Sequence, residues 1–445
     1  MIRRSLLLLP AFLLASCNNA EPGATDISDY IGPNPKLVAP SSSSFPTVNV
    51  AEANGWPAGK MPTPAQGLAV NEFAGGLDHP RWLLVLPNGD VLVAETDNPG
   101  TDQTGGTIRS FIQDQLMKKA GSSHPSPNRI SLLRDADGDG VAEMKTALIT
   151  GLYSPFGMAL ANGELYVANA DGIVAYPFQP GQTQVTARPR HVANLPSGYN
   201  HHWTKSMVVS PDGKYLYVGV GSNSNIGENG LEMEKLRAAV LRIEAMTGKM
   251  ALYAAGLRNP VGIAWNPWSG MLWVAVNERD EIGNDLVPDY ITSVKPGAFY
   301  GWPWSYYWQH PDSRPEPKNP AAVAAAIPPD YAMGPHVAAL GLTFSAGQKL
   351  GPQFAQGAFV GEHGSWNRKP WSGYQVVFVP FAAAMPTGAK PVPILTGFRV
   401  DDTAYGRPVG VIIAKDGSLL VADDVGGKVW RVSGAAGATQ TAARS

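Results

Sequence analysis

The 445-residue chain contains a single cysteine. No disulfide can form within it, and no Cys-x-x-Cys-His site for covalent c-type haem exists. Neither sign of charge dominates, because 34 Lys and Arg face 36 Asp and Glu for a formal net charge of −2. The basic excess of a nucleic-acid binder is missing, so no nucleic-acid partner is expected. The apolar run near the start, Ser5 to Leu14, is too short to span a bilayer as a helix. What the chain has is length and 44% hydrophobic residues, enough for a large core in one propeller or two smaller domains.

The short apolar run follows Met1-Ile2-Arg3-Arg4 and leads into Leu14-Ala15-Ser16-Cys17. A charged start and a brief apolar stretch read as an export signal. Its end looks like a bacterial lipobox, and lipid on a new N-terminal Cys17 accounts for an otherwise orphan thiol. Several acyl chains make a stable anchor. Residues 1–17 are therefore expected to be a lipoprotein signal peptide, placing the protein on the periplasmic face of a membrane, with the outer membrane expected. Residues 18–66 are rich in Pro, Ser, Asn and Gly, with Ser41-Ser42-Ser43-Ser44 among them, and read as a flexible tether. The small, polar residues 434–445 read as a disordered tail.

Between them, residues 67–433 carry a recurring pattern. A turn glycine precedes an alternating apolar strand in Asn88-Gly89-Asp90-Val91-Leu92-Val93-Ala94-Glu95 and again in Asn162-Gly163-Glu164-Leu165-Tyr166-Val167-Ala168-Asn169. Further copies begin at Asp212-Gly213, Ser269-Gly270 and Asp416-Gly417, and Gln356-Gly357 is the weakest. Each reads as a β-hairpin, the turn glycine supplying the backbone freedom. Six degenerate copies predict an all-β fold, a six-bladed β-propeller with a central channel. Several copies also open on a proline step: His79-Pro80-Arg81-Trp82, Ser154-Pro155-Phe156-Gly157, Asn259-Pro260-Val261-Gly262 and Arg407-Pro408-Val409-Gly410. Equivalent positions in successive blades lie on a ring. Arg81, Arg258 with Asn259, Arg407 and the pair His201-His202 are thus expected at one mouth of the channel. Arginines crowded there repel one another unless an anion neutralises them. Because guanidinium suits carboxylate or phosphate recognition, a polyanionic small molecule is expected. His202, in a loop before a hairpin, is of the type that serves as a general base near neutrality.

Two other stretches carry chemistry. Asp135-Ala136-Asp137-Gly138-Asp139-Gly140 alternates carboxylates with glycines, the pattern of a calcium loop. It departs from an EF-hand, whose twelfth position is here Thr146. Asp135, Asp137 and Asp139 are the expected ligands, in a structural role. Phe299-Tyr300-Gly301-Trp302-Pro303-Trp304-Ser305-Tyr306-Tyr307-Trp308 is dense in aromatics, which stack on planar ligands or pack between blades.

His-His-Trp-Thr-Lys at 201–205, Gly-Leu-Arg-Asn-Pro at 256–260, Asn-Glu-Arg-Asp at 277–280, Tyr-Gly-Trp-Pro at 300–303 and His-Gly-Ser-Trp-Asn-Arg at 363–368 resemble the sorbosone dehydrogenase family. That family is similar to the soluble pyrroloquinoline quinone (PQQ) glucose dehydrogenases and the PQQ pyranose dehydrogenases. The resemblance implies PQQ and calcium as cofactors. It implies His202 as general base, and Arg258 and Asn259 as the cofactor-contacting pair with Arg258 also aiding catalysis. Arg81, Arg407 and Arg368 follow as further cofactor contacts, and Arg279 and Asp280 as the calcium loop at the cofactor. The activity implied is oxidation of a sugar or aldehyde with an unidentified electron acceptor. Two other classes fit a propeller: a calcium-dependent lactone hydrolase and a non-catalytic binding protein. Arginine and histidine at the mouth disfavour the first, and the intact His202 with Arg258-Asn259 disfavours the second.

Overall fold

A computed structural model describes residues 26–41, 47–100, 119, 121, 125–198 and 200–435. Cys17 and residues 436–445 lie outside the described residues, and with them the expectations for the anchor and for most of the tail. The protein is all-β. Among the described residues, six antiparallel sheets of at least four strands follow one another along the chain. The first comprises Pro80–Val85, Val91–Glu95, Arg129–Arg134 and Met144–Ile149. The second comprises Met158–Ala161, Glu164–Ala168, Gly172–Pro177 and Arg190–Asn194. The third follows with Met207–Val209, Tyr215–Val220, Ala239–Glu244 and Met250–Ala255. The fourth is built on Asn259–Trp265, Leu272–Asn277, Pro288–Ser293 and Tyr331–Pro335. The fifth uses Ala339–Phe344, Gly357–Glu362, Gln375–Ala382 and Val392–Thr396. The sixth takes Pro408–Ile413, Leu419–Asp423 and Lys428–Gly434 and completes itself with Leu68–Ala74 from the other end of the chain.

Each glycine repeat joins the first two strands of one sheet. Gly89, Gly163, Gly213, Gly270 and Gly417 all have positive φ, between 67° and 104°, a region closed to most residues with a Cβ. The exception is Gly357, which starts a strand after a longer loop containing the turn Pro352–Phe354. That is why its repeat is the faintest. The second strands are buried on both faces, as in Val91–Glu95 and Leu419–Asp423, so each sheet must be covered on two sides. Tyr166 and Leu216 join the second and third sheets, and Trp273 with Phe344 and Phe381 joins the fourth and fifth. Leu83, Val93, Leu420 and Ala422 join the sixth to the first. Fully burying one such side chain contributes roughly 1.5–3 kcal/mol.

The first strands adjoin one another in chain order. A Cβ on Gly262 would come 2.7 Å from Leu342, one on Gly341 2.1 Å from the Val409 carbonyl, and one on Gly410 2.7 Å from the Arg81 carbonyl. These contacts recur near the start of each first strand, so those starts lie together at one end. In the first, fourth, fifth and sixth sheets a register shift falls at the same place, after Pro80, Pro260, Ala339 and Pro408. A bulge re-aims the residue within it, and in the first sheet that residue is Arg81.

The reading of residues 18–66 as a flexible tether is corrected for 26–41 and 47–66. Ile31–Gly32 pairs with the outer strand of the fourth sheet, and Thr63–Pro64 with that of the fifth. Glu52–Ala53 pairs in parallel with Thr403–Ala404. Tyr30 and Ala51 are fully buried, and the Trp56 indole N–H donates to Asp423 Oδ2 at 2.6 Å. Composition suggested a coil, but short polar segments are well suited to covering sheet edges.

Candidate active site

The residues before each first strand and after each second strand meet at the end defined above. There the His202 side chain is fixed by its acceptors. Nδ1 lies 2.9 Å from the Ser222 carbonyl and 3.0 Å from Ser222 Oγ. The Ser222 hydroxyl donates its own proton to the Ser224 carbonyl at 2.6 Å, so both oxygens facing Nδ1 accept. Nδ1 therefore carries the ring proton, and Nε2 keeps its lone pair. Desolvation, then the Arg258 charge, then His201 push the imidazole well below the ordinary histidine range. It stays neutral and able to take a proton at physiological pH. Gly221 makes room beside it, since a Cβ there would sit 2.4 Å from both His202 Cβ and Asn259 Oδ1.

Arg258, 2% exposed, is committed within the protein. Its Nε donates to the Asn225 carbonyl at 3.3 Å and Nη1 to the Glu278 carbonyl at 2.6 Å. Nη2 donates to Asn225 Oδ1 and Asp280 Oδ2, both at 3.0 Å. Four of the guanidinium's N–H groups are thus used, leaving one on Nη1. The fork therefore grips the loops around it. Asn259 is different, with its Oδ1 buried and without a protein partner.

Asp280 is the counter-ion of Arg258. Its Oδ1 accepts from Asn367 Nδ2 at 2.8 Å and faces His336 Nδ1 at 3.5 Å. Its carbonyl accepts from Arg279 Nη1 at 2.6 Å and Asn225 Nδ2 at 3.1 Å. Burial alone would raise this carboxyl, but Arg258, His336 and Asn367 more than offset it and hold it well below the carboxylate range. Arg279 is 1% exposed and its Nε donates to Asp312. Cationic and amide donors thus engage both carboxylate oxygens and the carbonyl of Asp280.

Arg81 and Arg407 form a second group with His363. Arg81 Nη1 donates to Asp424 Oδ2 at 2.8 Å, and His363 Nε2 donates to the same oxygen at 2.9 Å. Arg407 Nη2 donates to the Tyr374 hydroxyl at 3.2 Å, its guanidinium 5.1 Å from that ring centre. The Nε atoms of Arg81 and Arg407 are both buried without a protein partner. Burial lowers His363 to about 4, while Asp424 opposes that shift. The Arg81 guanidinium stands 5.9 Å from the centre of the Trp203 ring, which ties this group to the residue beside His202. Arg368 joins neither group. Its Nη2 donates to Asp285 Oδ1 at 2.8 Å, and Asp285 Oδ2 accepts from Tyr30 at 3.3 Å. That ion pair is buried, and Arg368 Nε, like those of Arg81 and Arg407, has no protein partner.

The arginines were expected to need an external anion, and part of that need is met by Asp280 and Asp424. Sequence reasoning missed Asp424, Asn225, His336 and Asn367. A signal for the first existed, since the repeats end on acids or amides: Glu95, Asn169, Asn277, Glu362 and Asp423. The acidic loop lies elsewhere, on the first sheet. Asp135, Asp137, Asp139 and also Glu143 each offer an oxygen within 4.8 Å of the others. Backbone N–H groups of Gly138 and Gly140 donate to Asp135, at 2.7 and 2.9 Å. Glu143 stands at the ninth position, so the search for a ligand at the twelfth overlooked it.

The chain belongs to the TrAA12-like family, whose model matches residues 129–298 and 310–435. Among curated proteins it is similar to a "Pyrroloquinoline quinone-dependent pyranose dehydrogenase" of Coprinopsis cinerea, 24% identical over 441 residues. That match covers 83% of this chain and 54% of the relative, so the chain spans about half the length of that protein. In structure it is similar to the "Holo form of Pyranose Dehydrogenase PQQ domain" from the same organism. The TM-score is 0.66 at 20% identity, over 86% of this chain and 100% of the other. It is also similar to the "Calcium structure" of the Trichoderma reesei family AA12 enzyme, with TM-score 0.67 at 19% identity, over 87% and 99%. The resemblance to PQQ sugar dehydrogenases holds at the family level, without singling out sorbosone.

Proposed function

We propose that this protein is a six-bladed β-propeller dehydrogenase that oxidises a sugar or an aldehyde with PQQ. The observation that carries the reading is His202, a desolvated imidazole of fixed tautomer, beside Arg258 at the strand ends. The propeller reading is supported by six sheets in chain order whose first strands adjoin and whose sixth sheet packs on the first. The relatives' names point the same way, towards pyranose oxidation and PQQ.

The residues fit a planar tricarboxylate. Arg81 and Arg407 each hold out a buried, unpartnered Nε–H. Burying such donors is costly unless a ligand completes them. Arg258 adds its charge and one remaining N–H. When bound, PQQ supplies the two-electron acceptor for hydride leaving the substrate carbon. The protein's part is to hold the substrate hydroxyl, hemiacetal or hydrated aldehyde, against His202 and receive its proton at Nε2. The protonated ring then keeps its Nδ1–H on Ser222, and the ordered carbonyl stabilises the charge it has gained. A lactone hydrolase would need metal-binding carboxylates at these strand ends. Among the described residues the carboxylates grouped closely enough for one ion are those of the acidic loop, and Asp280 and Asp424 are held by arginines. Titration of the purified protein with PQQ, with and without calcium, should give a saturable absorbance change. A flat titration under both conditions would leave the hydrolase and binding readings standing.

Calcium is assigned to the acidic loop, with Asp135, Asp137, Asp139 and Glu143 as oxygen ligands. Replacing the three aspartates together should abolish the rise in melting temperature that calcium produces, leaving the metal-free melting point nearly unchanged. Identical melting of both proteins across a calcium titration would remove the site. The anchor is assigned to Cys17. Cys17→Ala should move the protein from the membrane to the soluble fraction or leave its signal uncleaved, and wild-type protein extracted from membranes without lipid would exclude the lipobox.

A further inference from the structure

The Arg258 guanidinium is set by a loop residue that precedes it by 33 positions. Asn225 makes a two-point pairing with the backbone of Asp280, its Oδ1 accepting from the N–H at 2.9 Å and its Nδ2 donating to the carbonyl at 3.1 Å. The same Oδ1 accepts from Arg258 Nη2 at 3.0 Å, and the Asn225 carbonyl accepts from Arg258 Nε at 3.3 Å. The Trp302 indole N–H donates to that carbonyl at 2.9 Å, and the Asn225 N–H reaches Glu228 Oε1 at 3.1 Å. All the polar groups of this residue are therefore engaged, and most of them converge on Arg258 and its counter-ion. An asparagine is suited to the task because it carries a donor and an acceptor on one short planar head. Aspartate would lose the donor to the Asp280 carbonyl, and alanine would lose both.

We infer that Asn225 is a positioning residue that locks the Arg258 guanidinium and the Asp280 backbone in register beside His202, with Trp302 steadying it from the aromatic loop. The inference rests on the assignment of Arg258 to the active site made above. Without the Asn225 amide, Arg258 keeps its contact to Asp280, but both groups lose the element that fixes their mutual distance. The guanidinium then keeps its bonds to the Asn225 and Glu278 carbonyls and to Asp280 but loses the amide that fixes its tilt beside His202.

Two measurements test this, one of them on the cofactor-free protein. The titration of His202 is followed by NMR in the wild type, Arg258→Ala, Asn225→Ala and the double variant. The charged groups facing His202 are Arg258, His201 and Asp280, and of these Arg258 depresses its pKa most strongly after desolvation. Arg258→Ala should move the titration upward, Asn225→Ala should move it the same way by less, and the double variant should match Arg258→Ala. In PQQ titrations Asn225→Ala should weaken binding roughly tenfold, the scale of one hydrogen bond to a charged group. The same change should add nothing in the Arg258→Ala background, because a residue acting through another shows full coupling. If Asn225→Ala melts too early to assay, Trp302→Phe removes one N–H to Asn225, keeps an aromatic ring and should shift both readouts in the same direction. Wild-type values in Asn225→Ala, or equal losses in both backgrounds, overturn the inference. Failure of the wild type to bind PQQ overturns the proposed activity instead, and the His202 titration still decides the role of Asn225.

Discussion

Replacing His202 with alanine should lower turnover by about two to four orders of magnitude, the usual contribution of a general base, while PQQ binding survives. The two effects separate because His202 receives a proton but donates its only N–H inward, to Ser222. Few cofactor contacts disappear with the ring. The depressed pKa adds a second expectation. Since burial and Arg258 hold the imidazole below the ordinary range, the base is deprotonated over more of the acidic range. The acid limb of kcat/KM should therefore lie below the ordinary histidine value of about 6.5. Dye reduction with aldoses or aldehydes, measured from pH 4 to 9 at saturating PQQ, reads both. Wild-type turnover in His202→Ala would remove it as the base.

The second large effect is expected from Asp280→Ala, in stability rather than rate. Removing this carboxylate leaves Arg258 as a buried cation without its counter-ion and an amide, Asn367, that has lost its acceptor, while His336 loses the partner that raises its pKa. Breaking a buried pair from one side typically costs about 3–5 kcal/mol, much of it the uncompensated charge. Arg258→Ala in the same chain should recover part of that loss, which distinguishes stranded charge from lost packing. The sign with pH follows from a carboxyl held low in the folded state. Its contribution is fully present above the unfolded-state value of about 3.9 and is lost as pH falls towards the depressed folded value. Denaturant unfolding at pH 7 should show the full difference between wild type and variant, and the gap should narrow below about pH 4. Equal stability at pH 7 would mean that the pair is not the support described here.

The hairpins were legible because their information is local: a turn glycine, an alternating strand and an acidic or amide ending lie within ten residues. Arg81, His202, Arg258 and Arg407 were legible from their place in the repeat. Their partners were not. Arg81 meets Asp424 across 343 positions and Trp56 meets Asp423 across 367, and no local pattern reports such a pairing. The consequence was an overcount of free charge, since arginines were visible in the repeats while the acids that neutralise two of them were not matched to them. Arg368 shows the same limit, since its partner Asp285 lies 83 positions away. The N-terminal segment failed for another reason. Proline and serine lower the intrinsic tendency to form a strand, but strands of two residues on a sheet edge demand little of it.

The last sheet joins Lys428–Gly434 to Leu68–Ala74, which makes the order of synthesis matter. The strand at 68–74 is made early and has no partner in that sheet until residue 434 has been made. Pairing at this sequence distance is slow, because the loop entropy is lost before the contacts are gained. Until then the early strand presents unsatisfied backbone groups, a template for wrong pairing between nascent chains. Completion of this sheet is thus a late event, and shortening the chain at its far end leaves the strand at 68–74 without its neighbour.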